Sequence, residues 1–89
     1  MKDEILNSLK TTKLGFDRIR KNLNLADFSD EQILDFCRKI IEKSGEKNIE
    51  KRGKNYYIYF DLSKSSRNFL TINSHSFTII TAHKDGANK

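Results

Sequence analysis

The chain has 89 residues, 36% hydrophobic and 33% charged, with a formal net charge of +5 and one cysteine. That length suits one domain, residues 1–89, around one compact core, and the composition excludes a membrane-spanning apolar run and an internal disulfide. The charge is uneven: residues 1–45 carry 9 Lys/Arg against 8 Asp/Glu and residues 46–89 carry 8 against 4, which favours a polyanionic partner for the second half.

The start, Met1-Lys2-Asp3-Glu4, has no apolar leader, so a reduced, cytoplasmic setting is expected. The first predicted helix runs from about Asp3 to Lys10, with Ile5, Leu6 and Leu9 on one stripe. Thr11-Thr12 and Gly15 break it. A second helix from about Phe16 to Leu23 places Phe16, Ile19 and Leu23 on one face and Arg18, Arg20 and Lys21 on the other. The third opens at a capping box of Ser29 and Gln32. Its apolar stripe is Ile33, Leu34, Cys37, Ile40 and Ile41, and Gly45 is expected at C′. Cys37 lies on that stripe and reads as core packing.

From residue 46 the period becomes that of strands, so residues 1–45 form a helical part, 46–84 a sheet and 85–89 a tail. Asn48–Arg52 and Asn55–Leu62 are expected as a hairpin joined near Gly53-Lys54, and Tyr56-Tyr57-Ile58-Tyr59-Phe60 is dense in β-formers. Residues 63–66 read as a polar loop, and residues 67–73 and 76–83 as a final hairpin. The expected class is α+β, with two to three N-terminal helices on a four-stranded antiparallel sheet.

Taking Ser74 and His75 as the loop of that hairpin pairs Ile72 with Phe77, Leu70 with Ile79 and Asn68 with Thr81. Leu70, Ile72, Phe77 and Ile79 then share the core face, and Phe69, Thr71, Thr78 and Ile80 take the other. Continuing the core face outward gathers Asn68, Thr81, Ser66 and His83 at the end away from the turn, with Arg67 and Lys84 beside them. Such a group suits metal-independent RNA cleavage, which needs an acid, a base and donors or cations for the phosphorane. In this scheme His83 is the acid or base, Thr81 and Asn68 bond phosphate oxygens, and Lys54, Arg67 or Lys84 stabilise charge. His75 sits in the turn, roughly 20–25 Å from His83 at the usual strand rise, and the two cannot form one acid–base pair.

With Ile58 and Phe60 buried, Tyr57 and Tyr59 emerge on the opposite face among Lys and Arg, where aromatic rings either stack bases or cover the sheet. No phosphate-binding glycine loop, Cys/His metal spacing or acidic pair for two-metal chemistry occurs, so no cofactor or metal is expected.

Three stretches carry a resemblance: Thr11-Thr12-Lys13-Leu14-Gly15 with Arg18-Ile19 and Asn22-Leu23; Gly53-Lys54-Asn55-Tyr56-Tyr57; and Thr71-Ile72-Asn73 through Thr81-Ala82-His83-Lys84. On these the chain resembles a family of small bacterial and phage proteins classed as a domain of unknown function. Tyr56 replaces a tryptophan of that pattern, and the loop at residues 63–68 is longer and more polar. At one remove the order of elements ending in Thr-x-His is similar to the barnase/colicin/RelE-type ribonuclease superfamily. That similarity implies RNA cleavage without a metal by residues of the sheet, carried here by Thr81 and His83, with Lys54 as a lesser candidate.

The leading expectation is therefore a small RNA-directed protein, toxin-like and endoribonucleolytic, with RNA or a ribonucleoprotein as partner. The alternative is a non-catalytic bacterial or phage module, such as an anti-defence inhibitor, that binds a nucleic acid, a ribonucleoprotein or a protein partner. A homodimer through an exposed strand edge is the third expectation, since no proline guards the outer strands.

Overall fold

The structure is a computed structural model and describes residues 2–63 and 66–84; for Leu62, Ser63, Ser66 and Lys84 the description is of the backbone alone. Its elements in chain order are α1 (Lys2–Ser8), β1 (Lys10–Thr11), α2 (Lys13–Asn22), α3 (Asp30–Lys43), a 3₁₀ turn (Glu46–Asn48), β2 (Ile49–Arg52), β3 (Asn55–Ser63), β4 (Ser66–Asn73) and β5 (Thr78–Lys84). The α+β class holds, but the sheet has five strands in the order β1-β5-β4-β3-β2 and is mixed. The expected four-stranded antiparallel sheet is corrected by Lys10, expected as the end of the first helix, and Thr11, expected as a breaker after it. They pair in parallel with Thr78 and Ile79 of β5.

The local chemistry explains most boundaries. The Thr12 side chain accepts from the Gly15 N–H and starts α2. Asn24, at φ 61°, provides the left-handed residue after it, a conformation asparagine tolerates well. The Ser29–Gln32 capping box opens α3 as expected. The other end differs: Ser44 is the C-cap in an extended conformation, and Gly45, at φ −76°, begins the 3₁₀ turn rather than serving as a left-handed cap. Ser44 keeps its backbone satisfied by donating its N–H to Ile40 and Ile41 and its hydroxyl to Ile40. Gly53, at φ +60°, makes the two-residue turn between β2 and β3.

The helices and one face of the sheet share a single apolar cluster. Ile5, Ile19, Ile33, Cys37 and Ile41 from the helices meet Ile58, Leu70, Ile72, Ile79 and Ala82 from the strands, all at 0% exposure. Each such isoleucine or leucine contributes about 1.5–3 kcal/mol through burial. Arg20 ties the loop between α2 and α3 back to its helix: it donates to the Phe28 carbonyl at 2.7 Å and pairs with Asp17 at 2.9 Å and with Asp30. Burial pushes the Cys37 thiol up to about 12, which agrees with its core placement. Among the described residues, no helix is long and apolar enough to cross a membrane.

Candidate nucleic-acid interface

The β4–β5 hairpin sets the candidate residues, and it differs from the expected two-residue loop. The connection runs over residues 74–77. The Asn73 side-chain oxygen accepts from the His75 and Ser76 N–H groups at 2.8 and 2.9 Å, and the Phe77 N–H donates to the Asn73 carbonyl at 2.9 Å. This asparagine-nucleated turn carries Phe77 at φ 58°, a conformation costing of order 1 kcal/mol. It is held by stacking of Phe77 on Tyr56 at 6.5 Å.

The longer turn shifts the register. Ile72 pairs with Ile79, Leu70 with Ala82 and Asn68 with Lys84. Between Thr71↔Thr81 and Ile72↔Ile79, β5 contains one extra residue, Ile80, a β-bulge. An unbroken ladder would oppose Thr81 to Leu70 inside the core. The bulge instead brings Ala82 there and turns Thr81 and His83 to the other face.

The expected single-face group of Asn68, Thr81 and His83 is therefore corrected. Asn68 pairs with Phe60 across β3 and is fully buried on the helix side. Thr81 pairs with Thr71 and is 8% exposed, and His83 pairs with Phe69 and is exposed. Lys54 stands exposed in the β2–β3 turn, and its carbonyl accepts from the Ser74 N–H. Five strand positions separate it from Tyr59, so it lies roughly 17 Å along the sheet from the row holding His83. The Lys84 side chain is outside the described residues. His75 is exposed in the turn, away from His83.

What the sheet does bring together is an aromatic row on the face the helices leave open. Tyr59, Phe69 and His83 are consecutive cross-strand neighbours, with ring centroids 5.8 Å apart for Tyr59–Phe69 and 5.4 Å for Phe69–His83. Tyr57 joins them, 6.1 Å from Phe69. Two guanidinium groups lie over the tyrosines: Arg52 is 4.3 Å from the centre of Tyr57 and Arg67 is 4.9 Å from that of Tyr59. Arg52 also donates to the Tyr59 hydroxyl at 2.9 Å. All six belong to one face by the two-residue period.

Tyr57, Tyr59, Arg67 and His83 were candidates from the sequence; Arg52 and Phe69 were not. Both were findable by parity. Arg52 is the partner of Asn55 across a two-residue turn, which puts it on the face of Tyr57. Phe69 is expected on the non-core face, and its cross-strand pairing with Tyr59 and His83 is what makes it part of the row.

A cleft of about 690 Å³ adjoins this face at the sheet end, lined by Phe36, Ile40, Phe60, Tyr59 and the cations Lys39, Lys43 and Arg67. Among the described residues, no group of three or more His, Cys, Asp or Glu stands where it could hold a metal ion.

Residues 4–83 match the family described as "Protein of unknown function (DUF3781)", and the chain belongs to that family. No curated protein and no solved structure matches the chain.

Proposed function

We propose that this member of the family binds single-stranded RNA across the open face of its sheet. The observation that carries the reading is the contiguous set Tyr57–Phe69–Tyr59–His83 with Arg52 and Arg67 resting on tyrosine rings. Bases stack on aromatic rings for about 1–3 kcal/mol each, whatever their identity. A guanidinium plane lying on a ring offers its outer side to a base in the same way, while its charge draws phosphate. The net charge of +5 adds long-range attraction for a polyanion.

The test is fluorescence anisotropy of a labelled single-stranded oligoribonucleotide over a salt series. Wild type binds with affinity that falls steeply with salt, and Tyr57→Ala and Tyr59→Ala each weaken binding about ten-fold or more. Equal affinity for wild type and the double variant rejects the reading. Affinity indifferent to salt points to a protein surface instead.

The second reading is cleavage of the bound strand, the toxin-like activity that a likeness to barnase/colicin/RelE-type ribonucleases implies. It is favoured by His83, exposed at the end of the aromatic row where a sugar-phosphate backbone would pass. In this reading His83 exchanges the proton and Thr81 supports it, while Arg67 offsets phosphorane charge. Asn68 faces the core and has no part in it. RNA left intact by wild type with and without EDTA rejects cleavage but leaves binding standing.

A further inference from the structure

β2 ends early. Its last pair is Ile49↔Ile58, yet β3 continues to Ser63. Among the described residues, no strand pairs with β3 beyond Ile58 on that side. Backbone groups alternate sides along a strand. The continuation from Asn55 and Tyr57 therefore turns the N–H and C=O of Tyr59 and Asp61 toward the gap. The cleft already described lies along this edge: Tyr59 and Asp61 of β3 line it with the end of α3 and Asn48, whose 3₁₀ turn itself packs against β3 and leaves the edge open past it.

We propose that this notch receives an extended acidic segment of a partner protein, which adds to the sheet as a strand beside β3. Two features select that occupant. An edge with backbone donors and acceptors at every second residue is satisfied by another polypeptide backbone, and a nucleic-acid chain offers no matching ladder. The charge around it is complementary to carboxylates: Lys39, Lys43 and Arg67 line the cleft against the single acid Asp61. Lys39 also meets Asp35 at 3.1 Å, but both are exposed, and such a pair competes weakly with an incoming carboxylate. Alternate side chains of the added strand face opposite ways. One set enters the apolar floor of Phe36, Ile40 and Phe60, so apolar residues belong there. The other set lies toward Arg67.

This inference does not rest on RNA binding, although Tyr59 and Arg67 belong to both surfaces. It is tested with the full chain, ¹⁵N-labelled, and an octapeptide of alternating valine and glutamate as the probe. The expected result is a shift of the Tyr59 and Asp61 amide resonances together with slowed exchange of those amides. A peptide carrying lysine for glutamate binds at least about ten-fold more weakly, as does the acidic peptide against the Lys39→Glu/Lys43→Glu variant. A peptide N-methylated at those alternate amides that face β3 does not bind at all. Circular dichroism establishes that the double variant, altered at two exposed lysines, is folded. Two outcomes overturn the proposal: no shift at Tyr59 and Asp61, or undiminished binding of the N-methylated peptide. Protection already present in a free protein that sediments as a dimer also overturns it, since a second copy then fills the notch.

Discussion

The Asn22 carboxamide donates to the Ala82 carbonyl at 2.8 Å and to the Thr81 hydroxyl at 3.3 Å, joining the end of α2 to the outer edge of β5. Two turns earlier on the same helix, a Cβ at Gly15 would lie 3.0 Å from the Ile79 carbonyl oxygen. The helix thus lies close along β5 from Ile79 to Ala82 and covers the edge where the short β1 stops. An uncovered strand edge invites pairing with other chains; here a side-chain amide closes it.

Asn22→Ala leaves the Ala82 carbonyl only the longer 3.4 Å bond from the Thr81 hydroxyl. The expected loss is about 1–2 kcal/mol, read as a lower urea midpoint at unchanged slope. Retention of the wild-type midpoint refutes the role assigned to this amide.

Gly15→Ala is expected to destabilise even though alanine is the better helix former. The added methyl would lie 2.2 Å from the Thr11 hydroxyl, which is itself held by the Ile79 carbonyl at 2.8 Å. Crowding of this kind costs about 1–3 kcal/mol. Thermal unfolding checks the sign: a raised melting temperature contradicts the close approach.

Cys37 gives a pH signature. Its thiol is held up at about 12 against an ordinary 9.0, so above about pH 9 the unfolded chain loses a proton that the folded chain keeps. Stability therefore falls as pH rises through that window, by up to about 1.4 kcal/mol per pH unit for this group. Cys37→Ala removes that component, so its stability declines less steeply between about pH 9 and 10.5 than wild type does. Parallel slopes for the two proteins contradict the burial of the thiol. In the folded wild type the thiol resists alkylation at neutral pH and reacts once urea unfolds the chain.

The contact of His83 with Phe69 predicts a ring-current shift. The imidazole carbon-bound protons of His83 resonate upfield of those of His75 and return to ordinary positions in Phe69→Ala. Unchanged His83 resonances in that variant place the two rings apart. The same substitution removes the centre of the aromatic row and weakens oligoribonucleotide binding about ten-fold on the RNA reading.

The amphipathic period of α3 and its capping box, the Gly53 turn and the alternation of Ile58 and Phe60 against Tyr57 and Tyr59 were all legible from the chain. Each is decided within a few residues by backbone preference or by the two faces of one element. Lys10 and Thr11 were not legible as a strand. Two residues have no period, and their pairing depends on β5, nearly seventy positions on. Gly45 invited a left-handed cap, but the backbone turned at Ser44 and entered a 3₁₀ turn that leads into β2.

The site followed the same division. The sequence by itself determined that tyrosines and basic residues share a face of β3 and its neighbours, because side-chain alternation is a local property. It also determined that His75 and His83 are separate, since strand rise sets that distance. Only the tertiary structure decided the face of His83. The core opposite Leu70 admits Ala82 more readily than the Thr81 hydroxyl, and one bulged residue, Ile80, makes that exchange. That single insertion in the ladder took Thr81 and His83 away from Asn68 and set the imidazole on Phe69, at the end of the aromatic row.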